Sequence, residues 1–300
     1  MNPFLLLHCM FDQIAQQIPY QHIQYKNINI TVKRLDRVHP HISGNKFFKL
    51  KYNLLAAKQM RMTRLLTFGG AYSNHIAATA YAAHLFGFTS VGIIRGEELA
   101  NKPLNPTLST AEQFGMRLVF VNREVYRQRL QDEYLNELRA EFPEHYVIPE
   151  GGTNTLAIQG CKEILSDQDQ ENFDVICCAV GTGGTIAGII EASLPHQQVL
   201  GFSALKGDFL QQEVAMLLSQ PKCNWNVIDD YCQGGYAKTT SELIQFIKDF
   251  EQIYAIPLEH IYTAKLFFGL FNLIDQQHFH AHTKILVMHT GGLQGRLASF

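Results

Sequence analysis

The feature that most limits how this chain can fold is a rhythm. Short, continuously apolar runs alternate with longer amphipathic or Ala-rich stretches, and several of the runs end in glycine. Leu65-Leu66-Thr67-Phe68 leads into Gly69-Gly70-Ala71-Tyr72. Val175-Ile176-Cys177-Cys178-Ala179-Val180 leads into Gly181-Thr182-Gly183-Gly184-Thr185, and Ile285-Leu286-Val287-Met288 precedes Thr290-Gly291-Gly292. The patterning predicts strands over 28–33, 65–68, 90–94, 117–121, 145–148, 175–180, 199–202 and 285–288. It predicts helices over 46–59, 73–86, 106–114, 124–141, 154–165, 186–193, 240–254 and 265–276, after an amphipathic start over 11–18. Strands apolar on both faces belong in parallel sheets covered by helices on both sides. The expected class is therefore α/β, with open, twisted, mostly parallel sheets flanked by helices. No repeat of solenoid period and no low-complexity linker marks a boundary. The expected division is a small domain over 52–151 and a larger one made of 1–51 and 152–300.

Composition excludes several functions. A chain of 300 residues with 46% hydrophobic and 17% charged residues can build a large core. A net charge of −2 supplies no basic face for nucleic acid or anionic lipid. No run approaches the ~20 apolar residues that span a bilayer, and the opening lacks the basic and apolar regions of a secretory signal. The six cysteines show no metal or redox spacing and fit a reducing compartment, so a cytoplasmic protein is expected. His278, His280 and His282 alternate in a polar loop, where solvation is the ordinary state, and no metal site is expected.

In parallel α/β sheets ligands gather at the carboxyl ends of the strands. Glycine turns at those ends can be simple strand-to-helix connections. The 181–185 turn offers more. It follows a buried strand and opens a helix, so small residues and the first helical N–H groups can cradle an anion, with two threonine hydroxyls beside them. It lacks the Lys-Ser/Thr of a nucleotide loop and the third glycine of a dinucleotide fingerprint, so a compact phosphate monoester fits better. At the 69–75 turn, Ser73, Asn74 and His75 set a hydroxyl, an amide and an imidazole at one helix N-terminus, suited to a substrate carboxylate. Lys46 follows Gly44-Asn45 at the start of a helix, among apolar neighbours Phe47 and Leu50. Most lysines in helices are solvated surface charges. One that attacks a carbonyl must be neutral, so its pKa of about 10.4 must fall toward ~7–8, at a cost of about 4 kcal/mol to the ammonium. Burial and the neighbouring cation Lys49 both push that way.

Together these residues resemble a known family. Val32-Lys33-Arg34-x-Asp36 with Ser43-Gly44-Asn45-Lys46-x-x-Lys49-Leu50 is similar to the start of the 1-aminocyclopropane-1-carboxylate deaminase / D-cysteine desulfhydrase family. Gly69-Gly70-x-x-Ser73-Asn74-His75, Thr182-Gly183-Gly184-Thr185-x-Ala187-Gly188, Tyr262-Thr263-x-Lys265 and His289-Thr290-Gly291-Gly292 resemble the same family in the same order. The resemblance implies a pyridoxal 5'-phosphate (PLP) enzyme of the tryptophan-synthase-β-like fold, with the larger domain binding PLP. It implies that Lys46 forms the Schiff base with the cofactor. Ser73 would lie near the substrate carboxylate and α-carbon, and Asn74 near the cofactor's 3′-oxygen. Thr182, Gly183, Gly184 and Thr185 would cradle the phosphate. Tyr262 would lie beside the pyridine ring, Tyr236 would be a second active-site tyrosine, and Thr290 would face the pyridine nitrogen. His75 and Thr263 join Ser73 and Asn74 as expected substrate contacts, and Ser73, Tyr236 and Tyr262 join Lys46 as expected catalytic groups.

Two positions indicate the branch. Deaminases of the family carry a glutamate and a leucine where Thr263 and Thr290 stand, and desulfhydrases carry these threonines. Without a carboxylate near the pyridine nitrogen the ring is a shallower electron sink, sufficient when a good leaving group such as thiolate departs. The expected reaction is β-elimination on a small amino acid, D-cysteine above all, yielding pyruvate, ammonia and hydrogen sulfide. The rival reaction is deamination of 1-aminocyclopropane-1-carboxylate. A rival of another class is a non-catalytic protein that carries PLP or senses amino acids. The resemblance also implies a homodimer.

Overall fold

The computed structural model describes residues 3–15 and 17–296. Residue 16, part of the amphipathic start expected over 11–18, lies outside the described residues. Among the described residues ten strands follow in order: β1 (Tyr20–Tyr25), β2 (Ile28–Lys33), β3 (Arg64–Gly69), β4 (Thr89–Arg95), β5 (Met116–Val121), β6 (His145–Ile148), β7 (Val175–Val180), β8 (Gln198–Ser203), β9 (Trp225–Ile228) and β10 (Ile285–Met288). They form a six-stranded sheet in the order β1-β2-β10-β7-β8-β9 and a four-stranded sheet in the order β5-β4-β3-β6. Every pairing is parallel except the hairpin of β1 with β2.

The apolar runs behave as their composition requires. All six residues of β7 are buried. Ile176, Cys178 and Val180 point into one core with Phe47, Leu50, Ile186 and Ile189. Val175, Cys177 and Ala179 point into another with Leu266, Phe267 and Leu270. Helices therefore cover both faces of the larger sheet, and the two cysteines serve as small apolar residues. No helix among the described residues is long and apolar enough to cross a membrane.

Some elements escape the expected pattern. Strand β1 reads Tyr-Gln-His-Ile-Gln-Tyr, with only Ile23 buried, because it is an antiparallel edge. Strand β9 and the helix Leu210–Leu217 lie where no element was expected. The single helix expected over 124–141 is two, Arg123–Arg127 and Asp132–Glu141. Between them Arg129 turns its Nε to Glu150 Oε2 at 2.6 Å, and Gln131 adopts an extended conformation before the second helix.

Candidate active site

The two ends of the chain meet at Gly44. Its φ of +68° is left-handed, and a Cβ there would lie 1.9 Å from the carbonyl oxygen of Thr290. Only glycine allows that approach, and the Asn45 amide then donates to the same oxygen at 3.2 Å. Gly291 and Gly292 are also left-handed. A Cβ on the first would meet Ser43 Oγ at 2.9 Å, and on the second Asn74 Nδ2 at 2.6 Å. The turns after β2, β3 and β10 thus converge, as the carboxyl ends of parallel strands should. Arg34 steadies the loop before Gly44, gripping Asp36 with its Nε at 2.8 Å and Nη2 at 2.7 Å.

From Gly44 the helix Asn45–Gln59 begins, with Lys46 in its first turn. Lys46 is half-buried and, among the described residues, its amine makes no hydrogen bond or ion pair. Burial first, and the charge of Lys49 second, push it down to about 7. One turn further, Lys49 is almost wholly buried. Its Nζ donates to Gly151 O at 3.0 Å, Thr153 Oγ1 at 2.9 Å and Thr182 Oγ1 at 3.3 Å. No carboxylate among the described residues pairs with it.

The 181–185 turn closes around that ammonium. Gly183 is left-handed and caps the helix Gly184–Ala192. A Cβ on Gly184 would stand 2.8 Å from Thr153 Cγ2 and 3.2 Å from Lys49 Nζ. Thr153 and Thr182 hydroxyls are 2.6 Å apart, and Thr185 Oγ1 accepts from Asn45 Nδ2 at 2.7 Å. A buried cation without a counter-charge beside a helix N-terminus is costly unless an anion joins it. A phosphate ester supplies that anion, so the residues present fit a phosphorylated cofactor. No motif in the sequence assigns this role to Lys49 or Thr153. The signal available was the spacing of Lys46 and Lys49, three residues apart on one helix face.

The remaining expected residues fall into two groups. Ser73 Oγ accepts from Ile76 N at 3.3 Å as the cap of the helix Asn74–Phe86, which leaves its O–H free to donate. Asn74 Oδ1 accepts from Gln294 Nε2. The Tyr262 ring covers Gly181, where a Cβ would lie 2.9 Å from its Cε1. Tyr236 meets Tyr262 edge to face at 6.3 Å and is half-exposed. Burial pushes both phenols up, so they act as neutral hydroxyls. Thr290 is buried beside the Lys46 turn. Thr290 thus touches the turn before Lys46, Asn74 lies against Gly292, and Tyr262 against Gly181.

His75 and Thr263 turn inward instead. His75 is buried with Nε2 2.7 Å from Thr67 Oγ1, and Thr67 donates to Ile148 O at 2.9 Å. Thr67 must therefore accept from His75, which fixes Nε2–H and leaves Nδ1 a bare, unpartnered acceptor. Burial and the nearby lysines push the imidazole well below its usual pKa and keep it neutral. Thr263 is fully buried, and its hydroxyl accepts from Glu259 N at 2.9 Å. Glu259, unnoticed in the sequence, is buried too. Its carboxylate accepts the amides of Ile261 at 2.7 Å and of Tyr262 and Thr263, each at 2.6 Å. Burial raises it to about 7.

Fold and site together fit a protein that holds a small phosphorylated cofactor where the turns after β2, β3, β7 and β10 gather. The chain belongs to the pyridoxal-phosphate dependent enzyme family, whose pattern matches residues 16–291. PLP is accordingly its cofactor. A Thermotoga maritima protein named a putative 1-aminocyclopropane-1-carboxylate deaminase is 35% identical over 289 residues, spanning 90% of each chain. A mitochondrial Arabidopsis thaliana protein, named as a bifunctional D-cysteine desulfhydrase/1-aminocyclopropane-1-carboxylate deaminase, is 31% identical over 88% of this chain and 72% of its own length. A crystal structure described as an ACC deaminase homologue superposes with a TM-score of 0.79 at 26% identity, covering 95% of both chains. The tryptophan-synthase-β-like α/β architecture expected from the motifs is the one observed.

Proposed function

We propose that the protein is a PLP-dependent lyase that removes the β-substituent of a small D-amino acid, D-cysteine by preference, and releases pyruvate, ammonia and hydrogen sulfide. The observation that carries the choice is the state of Glu259. Glu259 is a carboxylate near Gly292 and Tyr262, and backbone amides occupy its oxygens. Thr290 and the inward-facing Thr263 add no acid. Such a site gives weak support to a protonated ring nitrogen and suits a substrate with a good leaving group.

When bound, PLP supplies the electron-withdrawing ring that makes the substrate's α-proton removable. The residues of this chain do the rest. Lys46, its amine held down to about 7, would be the residue that binds the cofactor's carbonyl, and it or Ser73 would move the proton at the α-carbon. Lys49, Thr153 and the 182–185 turn would hold the phosphate. The Ser73 hydroxyl and the N–H groups opening the Asn74–Phe86 helix hold the substrate carboxylate. Asn74 would hold the cofactor's 3′-oxygen. Tyr262, over Gly181, would line the cofactor's site, and Tyr236 beside it offers a neutral hydrogen-bonding hydroxyl. His75 supports this wall from beneath through Thr67.

The names of the relatives favour a second reading, deamination of 1-aminocyclopropane-1-carboxylate. A panel of D- and L-amino acids with the cyclopropane acid, assayed for sulfide, ammonia and keto acid, separates the two. Sulfide and pyruvate in equal amounts from D-cysteine are expected. Ammonia from the cyclopropane acid alone would overturn the choice.

We also propose a cytoplasmic homodimer, consistent with six free cysteines. The division into 52–151 and the remainder is proposed on the membership of the four-stranded sheet, which lies within 64–148. The Asn45–Gln59 helix runs unbroken through residue 52 and joins the two parts.

A further inference from the structure

Tyr236 sits in a strained loop. Gln233, Gly234, Gly235 and Ala237 have φ of 53°, 85°, 107° and 55°. Two of these are not glycine, and a left-handed run of this kind persists only where surrounding structure holds it. Among the described residues, Gly235 is bonded through its backbone to near neighbours, with its amide donating to Cys232 O at 3.0 Å and its carbonyl accepting from Lys238 N at 3.1 Å. One bond reaches it from afar. Lys265 Nζ donates to Gly235 O at 2.6 Å and to Ala204 O, just past the end of β8, at 3.4 Å.

Lys265 is completely buried, in the same helix, Thr263–Asp275, that Tyr262 caps. Among the described residues no carboxylate forms an ion pair with it. Burial pushes its pKa down. A methionine or leucine would fill that space without the cost of desolvating an ammonium satisfied by carbonyls. The cation is placed where its reach, rather than its packing, is used.

We propose that Lys265 is a positioning residue whose ammonium clamps the 233–237 loop to the end of β8 and so holds Tyr236 against Tyr262 at the mouth of the site. The clamp ties the Tyr236 loop to the helix that Tyr262 caps through one buried side chain. When it is removed, the left-handed backbone relaxes and the Tyr236 ring leaves Tyr262. The importance of this for turnover rests on the reading of Tyr236 given above, but the clamp itself does not.

Hydrogen exchange read by mass spectrometry on the PLP-loaded protein tests it. In Lys265→Met, amides of 232–238 should exchange about tenfold faster or more, as expected when a charge-assisted hydrogen bond is lost. The Gly184–Ala192 helix should exchange as in the wild type. Lys265→Gln, whose amide can reach one carbonyl, should fall between. Turnover should drop in Lys265→Met, and adding Tyr236→Phe should lower it no further. Wild-type exchange over 232–238 in a folded Lys265→Met protein would overturn the clamp. Failure of both variants to fold would also overturn it, by making Lys265 a folding element. If the loop loosens while Tyr236→Phe leaves turnover unchanged, the clamp stands and the role of Tyr236 falls.

Discussion

Lys46 and Lys49 stand one helical turn apart and divide one task. The first is half-buried and unpartnered, and the second is buried and tied to three oxygens. With Lys46 pushed down from 10.5 to about 7, the folded protein binds fewer protons than the unfolded chain between those pH values. The cost of burying this amine is therefore full below pH 7 and relieved as pH rises toward 10.5. Lys46→Met should raise the melting temperature of the apoprotein at pH 6, by about 2–4 °C for each ~1 kcal/mol recovered, and by less at pH 9. Calorimetry at the two pH values checks the sign. Lys49→Met removes a charge that depresses Lys46, so the acidic limb of PLP uptake by the apoprotein should move to higher pH. It also removes the buried cation from the phosphate cradle, and PLP affinity should fall about 10–100-fold, as for a lost hydrogen bond to a charged group. Lys46 was legible from its Gly-Asn approach and apolar neighbours. The three oxygens around Lys49 were not, because Gly151, Thr153 and Thr182 lie more than a hundred residues away.

Turns, more than strands or helices, place these groups. The strands were legible where the apolar runs were continuous, as in β7 and β10, and the Asn45–Gln59 helix where Phe47, Leu50, Leu54 and Leu55 repeat. Edges were not legible. β1 carries one buried side chain, and β9 belongs to a stretch without a clear period. The inward turn of Thr263 also escaped notice, since the Glu259 cap that holds it is a matter of local backbone path rather than of spacing. At the 181–185 turn the glycines leave room for an anion. Gly184→Ala should place a methyl 2.8 Å from Thr153 Cγ2 and 3.2 Å from Lys49 Nζ, so Thr153 must shift out of its place in the cradle. PLP affinity should drop about tenfold or more for the loss of one good phosphate contact, and urea denaturation should show the apoprotein destabilised by about 1–3 kcal/mol from the overpacking. An unchanged affinity, measured by equilibrium dialysis, would place the phosphate elsewhere.

In the whole molecule, two mostly parallel sheets bring the turns after β2, β3 and β10 into contact, and segments far apart in the sequence are needed to build that meeting point. Gly44 and Thr290 touch across nearly the full length of the sequence, so the turn that leads to Lys46 is built against residues near the other end. The helix Asn45–Gln59 links the sheets, so Lys46 is carried by the joint between them. That placement makes one covalent experiment decisive. The purified protein, loaded with PLP, is reduced with borohydride, digested and mapped by mass spectrometry. The expected result is a yellow protein that bleaches on reduction and carries the pyridoxyl group on Lys46 alone. A pyridoxyl group on Lys49 or another lysine, or a protein that PLP does not colour, would contradict the assignment of Lys46.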